Sequence, residues 1–72
     1  MADKITAVAK CRKGTPGDMT QVGFQADYGD ERNKAWAPFT PTLSVSMGVK
    51  NEVAEKFVQG GRYMITFELA ED

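Results

Sequence analysis

The pattern of the chain predicts a mainly β fold: a small curved sheet or partly open barrel, SH3-like or OB-like, of four to five strands with one short helix before the last strand. Three observations carry this. Apolar residues recur at every second position in four separate runs, glycine and proline cluster between runs, and only one stretch has helical spacing. A chain of 72 residues has room for a single small domain, residues 1–72, whose one core is marginal at this size.

The first run places Ile5, Ala7, Ala9 and Cys11 on one face of a strand, with Lys4, Thr6, Val8 and Lys10 on the other. Residues 13–18 then concentrate two glycines and a proline, the residues that supply the positive and fixed φ a chain reversal needs, so a hairpin is expected. In the second run Val22, Phe24, Ala26 and Tyr28 alternate with Gln21, Gly23, Gln25 and Asp27, which predicts a half-buried strand. A charged, turn-prone stretch follows and leads to the only tryptophan. Residues 36–39 are a candidate short strand that Pro38, lacking a backbone donor, would confine to a sheet edge.

The clearest strand is the run in which Leu43, Val45, Met47 and Val49 alternate with Ser44, Ser46 and Gly48. Asn51 then stands where a helix N-cap would, Glu52 falls in the first turn, and Val53, Ala54, Phe57 and Val58 form an apolar stripe that Gly60 and Gly61 end. The last run puts Tyr63, Ile65, Phe67 and Leu69 on one face, and the acidic tail after it is expected to fray. Inward faces from four strands exceed what one small helix can cover. Curving or closing the sheet lets those residues pack on each other.

Nine basic and ten acidic residues leave a net charge of −1, so no bulk attraction to nucleic acid or anionic membrane is expected, and binding of that kind would need a local patch. No segment has the apolar length of a membrane span, and the opening residues lack a signal-peptide core. A lone cysteine, Cys11, points to a reducing, cytoplasmic setting. With no histidine in the chain, the commonest general base, metal ligand and activator of a nucleophile is missing. Binding is therefore expected rather than catalysis, with no cofactor and no metal.

Glu31-Arg32-Asn33-Lys34-Ala35-Trp36-Ala37-Pro38-Phe39-Thr40-Pro41, the alternating strand, the short helix, Gly60-Gly61 and the aromatic final strand together resemble a set of short bacteriophage and prophage proteins with a Glu-Asn-Lys-aromatic-Thr-Pro motif. The likeness covers the C-terminal two thirds. Here Arg32 separates Glu31 from Asn33, and Gly61-Arg62 stands where those proteins tend toward Gly-Lys. The resemblance implies a phage origin and a place in the host cytoplasm, and it transfers no site residue. It implies three roles: inhibitor of a host defence system, virion component, and accessory in DNA metabolism.

Arg32, Lys34, Trp36 and Phe39 are the candidate binding residues, the cations facing a host protein or small anionic ligand. The two aromatics are expected to fold over the open end of the barrel, because so small a domain can hardly spare its only tryptophan from the core. Asp27, Asp30 and Glu31 lack the spacing of a calcium loop and read as solvated turn acids. Lys10, Arg12 and Lys13 form one basic cluster, read as a solubilising hairpin tip. Nucleic acid is thus a possible but unfavoured partner. Cys11 reads as core, and the small Ser44/Ser46 face suits close approach of a second subunit in a homo-oligomer.

Overall fold

A computed structural model describes residues 4–71 of the chain; residues 1–3 and Asp72, the end of the expected fraying tail, lie outside them. Strand β1 (Ile5–Lys13) and strand β2 (Thr20–Ala26) form the predicted hairpin. A 3-10 turn η1 (Glu31–Ala35), strand β3 (Ser44–Val49), helix α1 (Asn51–Ala54) and strand β4 (Arg62–Phe67) follow. All neighbouring strands are antiparallel, in the order β3-β2-β1-β4. The edges β3 and β4 do not pair, so the fold is the small curved sheet and not a closed barrel.

Registers follow the period-two pattern. Cys11 stands opposite Phe24, Phe24 opposite Val45, Val22 opposite Met47, Ala9 opposite Tyr63 and Ala7 opposite Ile65. These residues share one apolar face, and Ala9, Cys11, Val22, Phe24 and Ala54 are its buried centre. On the same side Phe24, Phe57 and Tyr63 meet edge to face, with centroids 5.5 to 5.6 Å apart. The opposite face carries Thr6, Lys10, Arg12, Gln21, Gln25, Ser44, Ser46 and Arg62, and is polar apart from the buried Val8 and the exposed Met64.

Helix α1 is one turn long, shorter than the apolar stripe predicts. Beyond it, Lys56 and Phe57 bond back three positions instead of four, which turns Phe57 onto the sheet and leaves Val58 exposed. Asn51 is the first helical residue rather than the cap. Its side chain accepts from the Thr20 hydroxyl at 2.6 Å and donates to the Gly17 carbonyl at 2.8 Å, tying the hairpin to the helix. At the other end the Lys13 ammonium donates to the carbonyls of Ala54 and Phe57, the first of which also accepts from Phe57 N. Gly60 has φ of 78°; its N–H bonds to the Cys11 carbonyl, and the Cys11 N–H bonds to the Gly61 carbonyl. Two residues opposite one, the first left-handed, make a glycine bulge that launches β4.

Three expectations are corrected here. Residues 36–39 form no strand, because the backbone there is drawn into turns, with Trp36 and Ala37 both donating to the Asn33 carbonyl. Strand β2 ends at Ala26 and leaves Tyr28 72% exposed, and β4 ends at Phe67 and leaves Leu69 in solvent. The basic cluster is divided: Lys13 lies on the apolar side capping the helix, while Lys10 and Arg12 lie on the polar face.

Candidate functional site

The segment between β2 and β3 is organised by one side chain. Past the end of β2, the Val8 C=O still accepts from Asp27 N at 3.0 Å, but the Val8 N–H has no strand opposite it, and Asn33 takes the strand's place. The Asn33 Oδ1 accepts from Val8 N at 2.7 Å, and its Nδ2 donates to Val8 O at 2.9 Å. The second amide hydrogen goes to the Asp27 carbonyl at 2.9 Å, and Oδ1 also accepts from Trp36 Nε1 at 3.1 Å. All four bonding positions of a buried amide are filled. A 3-10 turn suits this role because it sets Asn33 between Asp30, whose carbonyl accepts the Asn33 N–H, and Trp36, which donates back.

Around this knot the charges are matched. Asp30 caps η1 by accepting from Arg32 N at 2.9 Å, while Arg32 Nε and Nη2 reach its two carboxylate oxygens at 2.9 and 2.8 Å. Arg62 approaches Asp30 at 3.5 Å and Asp27 at 3.9 Å. Hydrogen bonds from the Arg32 side chain, and then from its backbone, hold the Asp30 carboxyl down at about 2 against an ordinary 3.8. The same bonds raise Arg32. Lys34 pairs with Glu31 at 3.3 Å, both well exposed.

Arg32 and Lys34 therefore face outward as expected, yet each is already matched to an acid. Asp27 and Asp30, weighed as turn acids or cation ligands, serve as arginine partners instead. Trp36 is half-buried against Asn33, and Phe39 is 89% exposed. With no barrel end to close, the plug expected of these two aromatics does not form. Ala37 and Pro41 are buried on either side of Phe39, so the bend at 38–40 stands out from a fixed base.

Asn33 was not singled out by the sequence as a structural residue. Its only signal is an amide inside a charged stretch, where burial has no periodicity to reveal it. Cys11 is buried, as its alternation predicts. Among the described residues there is no cluster of three or more His, Cys, Asp or Glu side chains suited to a metal, and no helix long and apolar enough to cross a membrane. Compared with protein-family models, curated proteins and solved structures, the chain matches none of them.

Proposed function

We propose that this chain is a non-catalytic binding protein that engages another protein through the loop containing Arg32, Lys34, Trp36 and Phe39. The observation that carries this reading is Phe39, a large apolar side chain 89% exposed on a bend whose base is tied down by Asn33. An aromatic held out by a rigid support loses little freedom on docking, and such groups dominate binding energy at protein interfaces. Matched ion pairs around it suit a polar rim. They favour a protein partner over a small anionic ligand, since Arg32 would have to leave Asp30 to meet one.

The resemblance to phage proteins supplies the setting: the partner is a host protein, and the effect is inhibition of a defence response in the host cytoplasm. Single-stranded nucleic acid is less well supported. Phe57 and Tyr63 lie on one face of the sheet and Lys10, Arg12 and Arg62 on the other, whereas strand binding needs aromatics and cations along one groove.

The test is affinity capture from host lysate with the native protein and with Phe39→Ala. The substitution is expected to leave stability within about 0.5 kcal/mol, as for an exposed site. Capture should fall at least about tenfold. Equal recovery of the same partner by a folded Phe39→Ala protein would sink the loop reading.

A further inference from the structure

A sheet with one apolar face must cover it with a second layer, and this chain supplies very little of one. Its own cover is a single helical turn with Ala54 and Phe57. Val45, Val49, Tyr63 and Ile65 stay half-buried, while Met47, Phe67 and Ile5 are 38%, 47% and 54% exposed. The shape records the same deficit. The molecule is a slab of 38 × 35 × 16 Å with a radius of gyration of 13.7 Å, where a compact chain of this length has about 11 Å. It exposes 5662 Å², roughly 1,250 Å² more than a folded monomer of 7.9 kDa is expected to show. The extended tail after β4 adds to that excess, and so does the half-covered face.

We propose that the missing layer is a second copy of this chain, the two apolar sheet faces stacking about a two-fold axis into a sandwich. A standard interface takes about 800 Å² from each partner, within the excess each chain exposes. Electrostatics select this face. Among the described strand residues the only ionic side chain on this face is Lys13, whose ammonium is occupied by the Ala54 and Phe57 carbonyls, and the exposed Glu52, Glu55 and Lys56 of the helical cover mix both signs. The other face presents Lys10 and Arg12 with no ion-pair partner among the described residues, and stacking it on itself would set cation against cation. Stacked sheets lie about 10 Å apart with interdigitating side chains. A groove of about 260 Å³ between Val45, Met47, Phe57, Tyr63 and Ile65 is open to receive one from the mate.

Sedimentation equilibrium of the native protein decides the matter, the expected mass being twice the 7.9 kDa of the chain. Met47→Glu, which places an unpaired charge in the stack, should weaken the dimer by about 30-fold or more with the far-UV spectrum unchanged. Phe67→Lys, at an exposed strand end, serves the same purpose should Met47→Glu fail to fold. Ser46→Glu on the polar face and Phe39→Ala should remain dimeric, which separates this interface from the loop. The inference is overturned by a native monomer at about 100 μM, including one that binds an apolar dye on the open face. A dimer that survives both face substitutions, or one lost through Ser46→Glu or Phe39→Ala, also overturns it.

Discussion

On the apolar face, Phe24, Phe57 and Tyr63 meet as a ring of three edge-to-face contacts; past the end of β2, Asn33 alone joins β1, Asp27 and Trp36 through four hydrogen bonds. The first region is held by area, which is non-directional and shared among many atoms. The second is held by geometry, and every bond in it depends on one amide presenting two donors and two acceptor sites. A conservative change should therefore be absorbed by the aromatic face and rejected at Asn33, even though Asn33 is the smaller side chain.

The sharpest way to break this contrast is Asn33→Asp, nearly identical in shape. At neutral pH the carboxylate would face the carbonyls of Val8 and Asp27 with no amide hydrogens to give, in a buried position. A loss of about 3–5 kcal/mol is expected by urea denaturation. A loss below about 1 kcal/mol would show that the knot is not what holds the loop. On the other face, Tyr63→Phe keeps all three ring contacts and removes only the hydroxyl that accepts from Val58 N at 2.9 Å. It should cost about 1 kcal/mol in the same measurement.

The smallest effect separates charge from hydrogen bonding within the loop. Asp30→Asn keeps a side-chain oxygen to cap η1 but removes the anion that Arg32 grips. Because the folded carboxyl is lowered from 3.8 to about 2, the stability it adds is complete above 3.8 and disappears as pH falls toward 2. Melting temperatures of the native and Asp30→Asn proteins should thus differ near neutral pH and converge in acid. A constant gap across that range would assign the loop's stability to the cap alone.

Wherever a residue's neighbours are set by backbone period, the chain can be read directly. Ala9, Cys11, Val22, Phe24, Val45 and Tyr63 alternate into one face because successive side chains of a strand point to opposite sides. Pro16 marks the first turn by its fixed φ, and Gly60, read from the sequence as a helix stop, is the glycine whose φ is positive among the described residues. Four strands, their facing residues and the helix before the last all follow from this local rule. The loop does not obey it. Asn33 finds Val8 across 25 positions of chain, and Arg62 finds Asp30 across 32. Burial of a polar amide, exposure of Phe39 and the approach of Arg62 to Asp27 and Asp30 are long-range outcomes that no spacing encodes. Whether the sheet closes is of the same kind: alternation assigns each strand an inner face, but only the packed arrangement shows that β3 and β4 stay apart and leave that face half covered.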